Sequence, residues 1–222
     1  MSHQRPVSAP RRPHWSRREM LISSASVGLA SAFGLALASD RSEAMPHKMA
    51  ATDAMNDVTI LNNALYYEHQ AIWAYGFAAG KLTNTSIGQA VLAVALANQA
   101  DHKQHRDLLA SAVRNLGGQP VTAESSYDVS SYLKKGEGNL DSDVNIAKLA
   151  LALETDAAIA YTKEVARLKT PALITAGASI GSAESAHAAS IRATFKALGV
   201  DLKVVPSAFV SAENRQSWIL MV

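Results

Sequence analysis

Four segments of this 222-residue chain repeat apolar residues at three- and four-residue steps and carry acidic or histidine side chains on the same face. This period is typical of a helix with one face turned toward a core. It predicts helices over residues 57–82, 87–116, 143–168 and 171–198. No segment of the sequence alternates apolar and polar residues in the manner of a half-buried strand. The sequence therefore predicts an all-α protein built on four helices.

The link between the second and third predicted helices is much longer than the others. Residues 117–142 contain turn residues and little periodicity, and they begin with two glycines that stop the helix before Pro120. An antiparallel four-helix bundle accommodates one such long crossover among short links. We therefore predict one bundle domain over residues 57–198, preceded by a flexible linker at residues 39–56.

Residues 199–222 form a tail beyond the predicted bundle and end in an apolar run that starts at Trp218. Such a surface needs cover in water. The cover is either the chain's own bundle or a neighbouring copy, and the second arrangement would make the protein a homo-oligomer. The sequence leaves both arrangements open.

The first 38 residues are predicted to be an export signal and not part of the fold. Arg17 and Arg18 precede an apolar stretch, and Ala36-Leu37-Ala38 supplies a cleavage site with two small residues. This order resembles the twin-arginine export signal of bacteria. The stretch approaches the length of a membrane anchor, but it is weakly hydrophobic, so we prefer a cleaved leader. The mature protein is thus expected in the periplasm or outside the cell, without a stable membrane span.

The composition excludes several kinds of site. The sequence has no cysteine, which excludes disulfides, thiolate zinc sites and cysteine-held iron–sulfur clusters. Residues 1–38 hold five arginines and one glutamate, so the remainder of this +2 chain carries a net charge of −2. Nucleic-acid binding normally requires a basic face. The mildly acidic remainder therefore argues against nucleic acid as a partner.

Six ionisable side chains fall on the inward faces of the predicted helices. They are Glu68, His102, His105, Glu154, Glu184 and His187. At a rise of about 1.5 Å per residue, all four faces reach a common depth in the bundle. Burying so many ionisable groups is costly unless a metal ion or mutual hydrogen bonds compensate. Carboxylate and imidazole ligands suit iron, manganese or zinc, so we predict a site for one or two metal ions.

Three further polar residues lie near these positions. Tyr75 and Tyr161 each follow a predicted glutamate ligand by one heptad. We expect both tyrosines to pack in the core with bonded hydroxyls, and the alternative is that they donate to the ligands or carry electrons. Asp101 lies one position off the inward face and is not among the predicted ligands, and the alternative is that it turns inward as the missing oxygen ligand.

The order of these ligands resembles that of the ferritin-like superfamily, and in particular the twin-arginine-exported ferritin-like proteins of bacteria. The resemblance covers residues 57–198 and rests on Tyr67-Glu68-His69, residues 102–107 (HKQHRD), Glu154 and residues 184–187 (ESAH). It implies a ferritin-like antiparallel four-helix bundle that holds one or two iron or manganese ions. Such relatives reduce oxygen or peroxide, or oxidise or store ferrous iron. The implied function is therefore that of a non-haem di-metal oxidoreductase.

One position departs from the family pattern, because His102 stands where a glutamate is expected. The loss of that carboxylate leaves a single-metal, mixed-metal or degenerate site open beside the di-metal site. A second hypothesis is therefore a non-catalytic bundle that serves in envelope stress protection or binds a partner, with its polar layer held by hydrogen bonds. Mineral storage in a closed shell fits less well because of the leader and the C-terminal tail.

Overall fold

The computed structural model describes residues 50–222, and this part of the chain contains helices and loops without a strand. The leader predicted for residues 1–38 lies outside the described residues, as do residues 39–49 of the predicted linker. No helix within the described range is long and apolar enough to cross a membrane. The helices are α1 Ala51–Ala79, α2 Ser86–Asn115, α3 Ser130–Lys134, α4 Asp143–Val165, α5 Pro171–Ala197 and α6 Arg215–Trp218.

The four long helices form a bundle of two hairpins. Helices α1 and α2 pack closely as one antiparallel pair, and α4 and α5 form the other. The link from α2 to α4 is the long one and contains the short helix α3. Asn56 near the start of α1 donates a hydrogen bond to the carbonyl of Arg167 after the end of α4, at 3.0 Å, so these two helices run antiparallel. The prediction of an all-α four-helix bundle is confirmed.

Helix α1 begins at Ala51, six residues before the predicted start, so residues 51–56 of the predicted linker are helical. This turn projects beyond the core, and Met55 within it is 70% exposed. Exposed residues need no apolar period, which is why the pattern did not reveal them. All other bounds of the long helices lie within three residues of the predicted ones. Helix α2 ends at a glycine with positive φ, Gly117, as the two glycines predicted.

Two buried aspartates tie each hairpin to the turn of the other. Asp57 on α1 accepts hydrogen bonds from the backbone amides of Lys169 and Thr170, both at 2.9 Å, in the turn between α4 and α5. Asp143 on α4 accepts from the backbone amide of Thr83 at 2.8 Å and from the hydroxyl of Thr85 at 3.1 Å, in the turn between α1 and α2. The two hairpins are therefore pinned reciprocally at their turns.

The same spacing of functional side chains occurs in both hairpins. Asp57, Glu68 and Tyr75 are separated by 11 and 7 residues, and Asp143, Glu154 and Tyr161 repeat these separations. The seven-residue spacing is evident in the sequence, whereas the two aspartates stand out only when their contacts are known. Since α1 and α4 are antiparallel, the repeat brings Glu68 and Glu154 to one level from opposite directions.

Two apolar clusters enclose this level from either end of the bundle. One cluster contains Ile60, Leu65, Leu109, Val113, Leu168, Leu173 and Ile180, among others. The other contains Val91, Ala147, Leu151, Ala188, Ile191, Phe195 and Trp218. On each long helix, the residues of the first cluster lie on one side of the predicted ligands. The opposite end of the bundle lies on the other side. The six side chains therefore form a polar layer inside an otherwise apolar core.

The C-terminal tail packs on the bundle of its own chain. Trp218 is 3% exposed, and its backbone carbonyl accepts a hydrogen bond from Arg192 at 2.5 Å. Arg215 forms paired hydrogen bonds with Glu137 at 2.7 Å and also binds Asp156, at 2.5 and 2.9 Å. The tail thus joins the long link to α4 and α5.

Candidate metal centre

The six side chains singled out by the sequence meet in one buried layer. Helix α1 contributes Glu68, α2 contributes His102 and His105, α4 contributes Glu154, and α5 contributes the last two, Glu184 and His187. Five of the six residues are at most 5% exposed, and the side chain of His105 is 13% exposed. The predicted register is therefore correct for all six. Their role as metal ligands stays a prediction.

The layer contains two overlapping groups of four residues whose ligand atoms lie within 4.8 Å of one another. The first group is Glu68, His102, His105 and Glu184, and the second is His102, Glu154, Glu184 and His187. The two groups share His102 and Glu184. Each group alone has the number and type of nitrogen and oxygen atoms that a transition-metal ion uses. Two neighbouring positions with shared residues are thus present in the layer.

His102 lies between the two glutamates of the opposite helices. Its Nδ1 is 2.8 Å from Oε2 of Glu68, and its Nε2 is 3.2 Å from Oε1 of Glu154. The two ring nitrogens therefore face different groups. A carboxylate at this position could also face both groups, but it would add a negative charge that the imidazole does not.

Glu184 also faces both groups, with one oxygen toward each. Its Oε1 is 3.0 Å from Nδ1 of His105, and its Oε2 is 3.3 Å from Nδ1 of His187. The first of these contacts lacks hydrogen-bonding geometry, so Oε1 of Glu184 and Nδ1 of His105 are buried without a hydrogen-bond partner. Buried polar atoms are rarely left in this state. A bound cation between them would satisfy both atoms, so the residues present fit a metal ion.

Tyr75 and Tyr161 bind the two glutamates of the opposite helices. The hydroxyl of Tyr75 donates a short hydrogen bond to Oε1 of Glu154, and that of Tyr161 donates one to Oε1 of Glu68. Asn98 donates to the hydroxyl oxygen of Tyr75 at 3.0 Å. Each of these carboxylates is thus held by a phenol through one oxygen and faces a histidine. The alternative role that the sequence allowed for the tyrosines, as donors to the ligands, matches these contacts.

Asp101 lies at this site although it is not among the six predicted ligands. Its Oδ2 lies 3.2 Å from Nε2 of His187, at the edge of the layer. Its side chain is 51% exposed. Contact with Nε2 leaves Nδ1 of His187 facing the interior, a carboxylate–histidine arrangement common at metal sites. The position of Asp101 along α2 places it level with His187 on α5. It does not lie on the apolar face of α2, which is the signal that identified the other residues.

Charges within the layer alter the protonation of its members. Burial raises the pKa of Glu68, but His102 and His105 outweigh this and lower that pKa to about 2. Burial lowers the pKa of His105, but the carboxylates of Glu184 and Glu68 raise it to about 9. Without a metal ion, carboxylates and protonated histidines therefore neutralise each other.

The second group behaves in the same way, with one exception. Burial lowers the pKa of His187, whereas Glu154 and Asp101 raise it to about 12. Burial and the charge of Glu154 together raise the pKa of Glu184 above its usual value. A metal ion that uses these histidine nitrogens has to displace their protons.

A four-helix bundle with a buried layer of glutamate and histidine defines a ferritin-like protein. Residues 56–197 match the family described as the ferritin-like domain, and the chain belongs to that family. The crystal structure of a conserved hypothetical protein from Mycobacterium tuberculosis is similar, with a TM-score of 0.55 and 18% sequence identity. The match covers 68% of this chain and 98% of that chain and shows the fold alone. No curated protein matches the chain significantly.

Proposed function

We propose that this protein is an exported metal-dependent oxidoreductase that holds two iron or manganese ions side by side in the polar layer. The observation that supports the proposal is the pair of four-residue groups sharing His102 and Glu184. One group alone would suffice for a single ion, but neither group accounts for both oxygens of Glu184. Family membership supports the same reading.

The charges of the layer are compatible with two divalent ions. Three ionised glutamates carry three negative charges, and two divalent ions carry four positive charges. The carboxylate of Asp101 beside His187 balances the remaining positive charge. Histidines that bind a metal ion are neutral, so their protons leave as the ions enter. Iron or manganese would supply one-electron chemistry toward oxygen, peroxide or ferrous iron, which protein side chains lack.

The residues of this chain would bind, orient and enclose that centre. Glu68 and His105 would hold one ion, Glu154 and His187 would hold the other, and Glu184 would reach both, with His102 as an extra ligand. Tyr75 and Tyr161 hold the carboxylates of Glu154 and Glu68 by hydrogen bonds, so that each carboxylate keeps one oxygen toward the interior. The two apolar clusters exclude bulk water from both ends of the layer. Preorganised ligands of this kind lower the cost of ordering the site on binding.

The proposal is tested by metal stoichiometry and thermal unfolding of protein purified without metal. Anaerobic titration with Fe²⁺ or Mn²⁺ is expected to saturate at two ions per chain, and Mn²⁺ spectra should show magnetic coupling between neighbouring ions. An ion at a hundredfold excess over its dissociation constant stabilises the native state by about 2.7 kcal/mol. Glu184→Gln should abolish the coupling and most of the stabilisation, and Glu124→Gln on the surface should leave both unchanged.

A second candidate function follows from the ion pairs that the layer forms without metal. His102, His105 and His187 each lie within 3.3 Å of a carboxylate oxygen. Such a layer can be a hydrogen-bonded remnant in a non-catalytic bundle that serves in envelope stress protection or binds a partner. If Fe²⁺, Mn²⁺ and Zn²⁺ leave the unfolding temperatures of wild type and Glu184→Gln unchanged, the result supports this candidate against the first.

Export is the second part of the proposal and has its own test. It is supported by the Arg17-Arg18 pair and the cleavage site at residues 36–38. Replacing both arginines by lysine should leave the precursor in the cytoplasm, while a change of Arg11 and Arg12 should not. Export of the first variant at the wild-type level would contradict a twin-arginine signal.

A further inference from the structure

A cavity of about 610 Å³ lies between α1 and α4 and reaches the polar layer. These two helices contact each other much less closely than the helices within each hairpin. The residues lining the cavity run from Asn63 to Ala78 on α1 and from Ile146 to Glu164 on α4. At about 1.5 Å per residue, the cavity follows the helices for roughly 20 Å. It is therefore elongated along the bundle.

The walls of this cavity are mainly apolar. Their larger side chains are Trp73, Phe77, Tyr132, Ile146, Leu149 and Leu153. Polar atoms converge on the inner side of the cavity, near the middle of its length, where Glu68, Glu154 and His102 line the same space. Small-molecule sites typically have volumes of about 300–1,000 Å³, apolar walls and a few convergent polar groups. The cavity has all three properties.

The outer wall is held in place by the long link and the C-terminal tail. Tyr132 on α3 donates a hydrogen bond to Asp156 on α4 at 3.0 Å. Arg215 binds the same aspartate and also Glu137. These segments are thus already engaged beside the opening. A second copy of the chain is the other candidate for covering the opening, and the oligomeric state of the substituted variants distinguishes it from a small molecule.

The charges around the cavity define the chemical class of a ligand. Its inner side carries the carboxylates of Glu68 and Glu154, and Asp156 lines the wall. Apart from His102, which is engaged by both glutamates, Lys163 is the basic side chain among the lining residues, and it is exposed. In the metal-free protein, an anionic ligand would therefore bring a negative charge toward carboxylates whose partner His102 is already engaged.

We propose that this cavity binds an uncharged, elongated and largely apolar organic molecule and holds one end of it beside Glu68 and Glu154. The inference rests on the proposed function in that the same centre would act on the bound molecule. Binding itself does not require metal, and so the two proposals fail separately.

The first test measures the binding of straight-chain primary alcohols to the folded protein, with and without Mn²⁺, by calorimetry. Affinity is expected to increase about fourfold with each added methylene until the chain fills the cavity. In the metal-free protein, the carboxylic acids of equal length should bind at least tenfold more weakly. In the presence of bound Mn²⁺, the alcohol's NMR signals should broaden most at one end of the chain. Equal binding of alcohols and acids to the metal-free protein, or an even broadening of all signals with Mn²⁺, would overturn the proposal.

The second test fills or enlarges the cavity by substitution. Ala74→Phe and Ala157→Phe place a ring in the space from opposite helices and should each weaken alcohol binding at least tenfold. Ala97→Phe on the exposed face of α2 is the matched control and should change nothing. Leu153→Ala enlarges the cavity and should shift the best chain length upward. This variant keeps the test decisive if a phenylalanine variant fails to fold.

The outcomes separate the cavity from the metal centre. Loss of alcohol binding in the filled variants, with Mn²⁺ stoichiometry unchanged, supports the cavity as the ligand site. Alcohol binding without any metal response supports the cavity and contradicts the proposed function. Metal binding without alcohol binding supports the proposed function and contradicts the cavity as a ligand site. A dimer that dissociates when Ala74 or Ala157 becomes phenylalanine would show a second copy as the occupant and overturn the inference.

Discussion

The hydroxyl of Tyr161 on α4 donates a hydrogen bond to Oε1 of Glu68 on α1, although 93 positions separate the two residues in the chain. Tyr75 on α1 makes the equivalent bond to Glu154 on α4. Each helix therefore supplies a glutamate to the layer and a tyrosine that positions the glutamate of the other helix. This exchange links the two hairpins at the level of the candidate metal centre.

Removal of the phenol hydroxyl in Tyr161→Phe is expected to destabilise the metal-free protein. Glu68 would lose a donor while it stays buried, and hydrogen bonds to charged groups contribute about 1.5–3 kcal/mol. Urea unfolding of wild type and variant measures this difference in the free energy of unfolding. Tyr67→Phe, at an exposed tyrosine on α1, is the control and should change the free energy by less than about 0.5 kcal/mol. Equal stability of Tyr161→Phe and wild type would show that the hydrogen bond contributes nothing.

The contact of Asp101 with His187 predicts a role in metal affinity. Asp101→Asn removes the negative charge from Nε2 of His187, so Nδ1 becomes a weaker ligand and its ring is less firmly oriented. We expect a 10–100-fold loss of affinity for one of the two ions, measured by anaerobic competition with a chelator. Asp107→Asn, an exposed aspartate on the same helix, should have no effect. Identical affinities in both variants would remove Asp101 from the site.

The sequence was sufficient to predict the ligands because burial imposes a strict pattern on them. Each of the six residues lies on an apolar face of a long helix, and an ionisable group on such a face is conspicuous. Asp101 lacked this signal, since it is half-exposed and its partner lies 86 positions away. Its contact depends on the rotation of α2 relative to α5, which the period of a single helix does not define.

The same limit explains what was not predicted about the ends of the bundle. Asp57 and Asp143 were not recognised as partners of distant turns, because their hydrogen bonds are made to backbone amides and hydroxyls without a sequence pattern of their own. The position of the tail was also open, since apolar residues indicate a need for cover but not what covers them. Arg215 contacts Glu137 and Asp156 of the same chain, and a homo-oligomer through the tail stays a prediction.

Asp57 is expected to make the stability of the protein depend on acidic pH. Burial raises the pKa of its carboxyl, but hydrogen bonds from Thr170, Lys169 and Asn56 outweigh burial and lower that pKa. A depressed pKa contributes stability that is fully present above the unfolded value, about 3.9. This contribution is lost as the pH falls from there through the folded pKa.

Asp57→Asn should therefore cost about 1–3 kcal/mol of unfolding free energy near pH 7, and the difference from wild type should shrink below about pH 4. Urea unfolding between pH 3 and pH 7 measures both effects. Asp201→Asn, an exposed aspartate, serves as the control. A cost for Asp57→Asn that stays constant over this range would mean that the carboxylate charge contributes nothing to the bonds with the turn.

His102→Glu should have opposite effects on the metal-free and the metal-bound protein. Without metal, a fourth glutamate would stand beside Glu68 and Glu154 in place of the imidazole that now pairs with both. Like charges buried together are costly, so the unfolding temperature of the metal-free variant should fall. With metal, the added carboxylate gives the pattern of two Glu-x-x-His pairs found in di-metal bundles. It should therefore raise the affinity for the second ion. Thermal unfolding with and without Fe²⁺ or Mn²⁺, together with metal stoichiometry, measures both changes.

Ser111→Glu adds the same charge to the exposed face of α2 and is the matched control for His102→Glu. It should shift neither the metal-free unfolding temperature nor the affinity for the second ion by a comparable amount, because an exposed charge is solvated and screened. A His102→Glu variant that is destabilised in both states would indicate that the layer cannot form the di-metal arrangement. The imidazole of His102 would then be required by the surrounding carboxylates themselves, as in the metal-free bundle.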